Sequence, residues 1–70
     1  MFINCNDDEN RVINMGAVVK VLRVGQYVLE VTYKDERVVE LYYNTVYDTL
    51  VDFERMNLII IKRNCTEVDE

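Results

Sequence analysis

The chain has 70 residues, half of them hydrophobic, with thirteen acidic and eight basic side chains and a net charge of −5. That length bounds it to one domain near the lower limit of independent folding, and the apolar content excludes disorder. The eight cations are scattered, with no run longer than Lys62-Arg63. Nucleic-acid binding through phosphates asks for a basic patch, so direct nucleic-acid binding is not expected.

In chain order, Met1 to Cys5 reads as a short strand, closed by the Asn6-Asp7-Asp8-Glu9-Asn10 block, whose side chains favour tight turns. Arg11-Val12-Ile13 extends a hairpin back along it. Asn14 is placed to cap a single helical turn, with Gly16 redirecting the chain. Val18 to Tyr43 then reads as a three-stranded meander. The first strand, Val18–Val24, sets Val18, Lys20, Leu22 and Val24 against Val19, Val21 and Arg23. Gly25-Gln26 fits a type II′ hairpin turn with glycine at its first central position. Tyr27 to Lys34 puts Tyr27, Leu29, Val31 and Tyr33 on one face. Lys34-Asp35-Glu36 contains no glycine and predicts a longer loop, and Arg37 to Tyr43 returns with Val39, Leu41 and Tyr43 facing one way.

Beyond the meander the period changes. Thr45 followed by Asp48 resembles a capping box, and Val46, Leu50, Phe53 and Met56 recur at helical spacing. Asp48, Asp52 and Arg55 fall on the polar side of a helix of about three turns. Leu58-Ile59-Ile60-Ile61 is β-branched and reads as a final strand, followed by Thr66–Glu70 as a solvated tail. The expected fold class is α+β: a small antiparallel sheet of four to five strands, the three-stranded meander at its centre, with one helix packed on one face. In outline, the Ile13-Asn14 step, the strands and the helix resemble short flagellar proteins of the FlbD type, and the layout is that of many small bacterial and phage-encoded proteins. No function is carried over from that resemblance.

The residues assemble no familiar chemistry. The chain has no histidine and no serine, and its two glycines stand apart, so triads, nucleophile elbows and phosphate loops cannot be built. Asp7-Asp8-Glu9 lacks the spacing and glycine of a calcium loop. Cys5 and Cys65, sixty residues apart, read as buried thiols in the two terminal strands. No signal segment and no membrane span are read, so the chain is expected to be cytoplasmic, with no enzymatic activity, metal or cofactor.

The remaining feature is the tyrosines. One helix cannot cover both faces of so apolar a sheet, and tyrosine suits protein interfaces. The sequence therefore points to a protein-interaction module that self-associates, as a homodimer, or meets another protein through a sheet face or edge, with Tyr27, Tyr33, Tyr42 and Tyr43 lining the surface. The alternative is a small acidic inhibitor or nucleic-acid mimic, with Glu30, Glu40, Asp48, Asp52 and Glu54 forming a charged face that fills a basic cleft.

Overall fold

The computed structural model describes residues 1–68, and their side chains through residue 64. Strands β1 (Phe2–Asn4) and β2 (Val12–Asn14) pair antiparallel as a hairpin, Ile3 opposite Ile13. Its loop closes through Cys5 N–H donating to the Arg11 carbonyl at 2.8 Å, with Asn10 in the left-handed region at φ 51°. A single 3-10 turn, Met15–Ala17, follows; the Asn14 side chain accepts from the Gly16 amide at 3.1 Å, the cap expected there.

The meander is β3 (Val18–Gly25), β4 (Val28–Tyr33) and β5 (Val38–Tyr42), paired in that order. Two details depart from simple alternation. A register shift between Val18 and Lys20 turns Val18 and Val21 to the same buried face, with Lys20 and Leu22 on the other. An extra residue in a bulged strand moves everything beyond it by one pleat. The first hairpin turn is Gln26-Tyr27, not Gly25-Gln26: Gly25 pairs with Val28, and neither glycine has positive φ, so no type II′ turn forms. The second is a three-residue loop, Lys34-Asp35-Glu36, in which Glu36 N–H donates to the Tyr33 carbonyl at 2.9 Å and Glu36 sits at φ 73°. That left-handed position is where glycine is usual. The Asp35 carboxylate holds the turn by accepting from the Arg37 amide at 3.0 Å.

Helix α1 (Val46–Val68) packs on one face of the sheet, mostly over β3. Thr45 caps it, its hydroxyl accepting from the Asp48 amide at 3.0 Å. At 23 residues it is about 34 Å long, roughly twice the expectation. The Leu58–Ile61 segment is helix, not a final strand. The helical cost of β-branched residues is a few tenths of a kcal/mol each. No glycine or proline interrupts the segment, and half-buried Ile59 and Ile60 pack on the core. Packing decides. Arg63, a turn further on, fastens the helix to the sheet by donating to the Met15 carbonyl at 3.0 Å and the Val18 carbonyl at 2.8 Å. Of the expected tail, Thr66 to Val68 continue the helix, and residues 69–70 lie outside the described residues. Cys65 likewise falls on the helix and not on a strand, and its side chain lies outside those described.

The core is a single cluster: Ile3, Cys5, Ile13 and Met15 from the hairpin side, Val18, Val21, Leu29, Val31 and Leu41 from the meander, Tyr43 after it and Met56 from α1. The architecture is the α+β arrangement read from the sequence, with five strands divided between a two-stranded and a three-stranded sheet.

Candidate functional site

The sheet β3–β5 is covered by α1 on one face only. On the other, the register brings Leu22, Glu30 and Glu40 into one row, Val28 beside Tyr42 in the next, and Lys20, Thr32 and Val38 in the third. Leu22, Val38 and Tyr42 are exposed and Val28 is half-buried, so apolar side chains lie on both sides of the two carboxylates, with Lys20 and Thr32 beside Val38. Glu30 and Glu40 stand directly opposite, at positions whose Cβ atoms lie about 5 Å apart in antiparallel sheets. Glu30 has no ion-pair partner among the described residues, while the Glu40 carboxylate accepts from the Tyr42 hydroxyl. That bond holds the Tyr42 phenol above its ordinary pKa, because ionising it would set two anions against each other.

The four tyrosines expected at an interface are dispersed. Tyr42 is on the open face at 46% exposure, and Tyr27, in the adjoining turn, is similarly exposed at the same end. Tyr33 lies at the far end of β4 on the helix-covered side, half-buried, with the Arg37 guanidinium over its ring at 4.4 Å. Tyr43 is 5% exposed, and its hydroxyl donates to Asp52 at 2.8 Å. Its ring belongs to the core and offers no surface.

Asp52 is the polar residue the sequence misplaced. It is fully buried, not on a solvated helix side. Its carboxylate accepts from the Asn6 amide at 2.7 Å, the Asn6 side chain at 3.2 Å, the Tyr43 hydroxyl and Arg55 at 3.2 Å. Arg55 also donates to the Asn4 carbonyl at 3.1 Å. The cluster therefore bolts the first hairpin to the helix. Asp7 lies close by, also buried; one carboxylate oxygen accepts from the Arg11 amide at 2.9 Å and the other is 3.5 Å from the Arg11 guanidinium. Burial pushes the Cys5 thiol up to about 12, reinforced by the Asp52 and Asp7 carboxylates. A thiol so far from ionisation is a poor nucleophile at neutral pH. The Tyr43 phenol is also raised, by burial first and then by its bond to Asp52. Every oxygen of Asp52 is occupied by the fold itself, which leaves no lone pair directed at a ligand. Among the described residues no group of three or more His, Cys, Asp or Glu is placed to hold a metal ion.

No family model matches the chain, and no curated protein and no solved structure matches it. No helix among the described residues is long and apolar enough to cross a membrane.

The sheet edges are blunted. Along β5 the first hairpin's loop takes up the outer carbonyls: Asp8 N–H donates to Tyr42 at 2.7 Å and the Arg11 guanidinium to Glu40 at 3.1 Å. Along β3, the edge carries two register shifts and the charges of Lys20 and Arg23, devices that discourage strand addition. The open face is thus the sheet's most accessible surface. A second exposed apolar stripe, unforeseen, runs along α1 through Tyr47, Leu50, Leu58 and Ile61, beside an open groove lined by Phe53, Glu54, Asn57, Leu58 and Ile61. Leu50, expected to face the core, is 42% exposed there.

Proposed function

We propose that the chain is a non-enzymatic protein-interaction module, and that the uncovered face of β3–β5 receives the partner. The observation that carries this reading is the uncovered face on which Leu22, Val28 and Tyr42 on one side and Val38 on the other flank Glu30 and Glu40. Large apolar patches on small soluble domains mark interaction sites. The carboxylate pair selects the chemistry. Like charges directly opposite on a sheet cost stability, and an Arg or Lys set between them turns that repulsion into attraction. The favoured partner is therefore a protein segment with a basic residue flanked by apolar ones. Placement in the cytoplasm belongs to the same reading, supported by the unpaired, buried Cys5.

Pairing of this face with a second copy is disfavoured, because a two-fold axis through its centre sets one carboxylate pair against the other. The acidic-mimic reading keeps only part of its face: Asp52 is buried, and Asp48 and Glu54 lie on the helix, away from Glu30 and Glu40. Affinity capture with the wild-type chain, Glu30→Gln/Glu40→Gln and Val38→Asp tests the proposal. A partner retained by the wild type, released by moderate salt and lost from both variants supports it; the same captured set with all three overturns it. A second expectation concerns the fold alone. Glu30→Lys replaces the repulsion by a cross-strand ion pair worth roughly 0.2–1 kcal/mol, which raises the melting temperature by a few degrees in a domain of this size. The same variant loses the basic partner, and a thermal melt beside the capture assay reads both.

A further inference from the structure

The exposed stripe of α1 calls for its own occupant. The helix already buries one side, through Thr49, Asp52, Met56 and the partly buried Ile59, Ile60 and Arg63. Leu50, Leu58 and Ile61 lie around the helix from that side, at 42%, 52% and 53% exposure, with Tyr47 open a turn earlier. A helix apolar on two sides is ordinarily covered on two sides. Residues 47, 50, 54, 57 and 61 follow the three-and-four spacing of a helix–helix seam. From the geometry we infer that this stripe pairs with the same stripe of a second copy, the two helices antiparallel.

The side chains choose both partner and direction. One antiparallel register sets Leu50 opposite Ile61 of the second copy and Ile61 opposite its Leu50. The same register places Glu54 against Asn57 of the second copy, and the reverse. Asn57 spends one amide hydrogen on the Phe53 carbonyl at 3.1 Å, and the other suits the Glu54 carboxylate across the seam. Val51 and Leu58 flank the layers with further apolar contact. A parallel arrangement instead stacks Glu54 on its own copy. Charge points the same way: apart from Asp52, Arg55 and Arg63, which are engaged on the covered side, the first half of α1 carries Asp48 and Glu54, and Lys62 lies a turn beyond Leu58. Antiparallel pairing brings Asp48 and Glu54 of one copy towards the Lys62 end of the other and opposes the two helix dipoles. The polar Glu54–Asn57 layers fix the register, as single polar positions do in coiled coils. The pairing leaves the β3–β5 open face exposed on both copies and does not depend on the partner proposed for it.

Sedimentation velocity on the full chain over a wide concentration range, with Ile61→Glu and Val38→Asp, tests the inference. The expected result is a concentration-dependent dimer whose dissociation constant rises about 100-fold or more in Ile61→Glu, the range for losing a central interface anchor, and is unchanged in Val38→Asp. Circular dichroism checks that each variant is folded, as expected for substitutions at exposed positions. Direction is read by oxidative cross-linking in a Cys65→Ser background. Leu50→Cys mixed with Ile61→Cys forms a disulfide-linked dimer, whereas Leu50→Cys alone does not, because its two copies lie about 16 Å apart along the seam. A wild-type chain monomeric at every concentration overturns the inference. So does a dimer weakened by Val38→Asp but not by Ile61→Glu, or efficient cross-linking of Leu50→Cys with itself. Loss of captured partner from Glu30→Gln/Glu40→Gln with the dimer intact, or the converse, separates this inference from the proposed function.

Discussion

Asp52→Ala is expected to leave the chain largely unfolded at room temperature. The carboxylate is fully buried and accepts four hydrogen bonds, from the Asn6 amide, the Asn6 side chain, the Tyr43 hydroxyl and Arg55. Removing it strands the Tyr43 hydroxyl in the interior, takes the acceptor from the part-buried Asn6 amide and takes the counter-charge from Arg55, which is 40% exposed. Each donor left without its acceptor costs about 1–3 kcal/mol, the larger values where the lost partner was charged, so the two donors together cost roughly 2–6 kcal/mol. A core of this size supplies roughly 3–5 kcal/mol in total, so the loss is comparable with the whole stability. Urea unfolding followed by circular dichroism reads the effect, and a midpoint equal to wild type refutes it. Asp52→Asn separates charge from shape. It keeps the volume and one acceptor but turns an amide donor towards groups that themselves donate, so its midpoint should fall between the other two. Hydrogen exchange adds the location: amides of β1 and β2 should lose protection first, since Asp52 and Arg55 hold the hairpin to the helix through Asn6 and Asn4.

Why Asp52 escaped the sequence is instructive about the whole helix. Its face combines Thr49 and Asp52 with Phe53, Met56, Ile59 and Ile60, whereas Leu50, Leu58 and Ile61 mark a second apolar stripe on the other side of the cylinder. Periodicity finds both apolar stripes without saying which is covered, and it assigns an aspartate to the solvated side by its charge alone. A hydrophobic pattern carries no signal for a carboxylate whose desolvation is offset by donors 46 residues away in the chain. The Leu58–Ile61 segment failed for a related reason: its composition favours a strand by tenths of a kcal/mol per residue, less than the packing of Ile59 and Ile60 and the two hydrogen bonds of Arg63 contribute. Local features fared better. Asn14 and Thr45 cap where their side chains predict, the 34–36 loop has the expected length, and the meander follows from alternating Leu29, Val31 and Leu41. Those depend on neighbours in sequence. The bulge at Val19, the turn at Gln26-Tyr27 and the burial of Tyr43 depend on what lies across the sheet.

The two exposed surfaces lie on opposite layers, so the two proposals made for them can hold together. If the helices pair and each sheet face takes a basic segment, one dimer presents two equivalent sites. A partner carrying two such segments on a linker long enough to reach both then gains avidity without a new contact. Ile61→Glu should reduce binding of a two-segment partner while leaving a single-segment peptide unaffected, a comparison that needs only titrations of the two ligands.

Stability should fall steeply in mild alkali, and the sign follows from Cys5. In the unfolded chain its thiol ionises near its ordinary value of 9.0; in the fold, burial and the Asp52 and Asp7 carboxylates push it up to about 12. Between those values the folded state holds a proton that the unfolded state has released. Protonated Cys5 thus contributes stability that is complete below about pH 9 and is lost as pH rises towards 12. Each proton held differentially gives a slope of up to about 1.4 kcal/mol per pH unit. Tyr43 acts with the same sign above its ordinary value of 10.0, because burial and its bond to Asp52 also raise it. The two together should bring alkaline unfolding well before the helix or the sheet would otherwise fail. Urea midpoints from about pH 8 to about pH 11 test this, with slope and not absolute midpoint as the readout. Cys5→Ala lowers the midpoint at neutral pH through the cavity it leaves, yet flattens the decline above about pH 9. Tyr43→Phe flattens it at higher pH only. A wild-type midpoint that stays level across the range, or a Cys5→Ala slope as steep as wild type, would show that the buried thiol does not carry the effect.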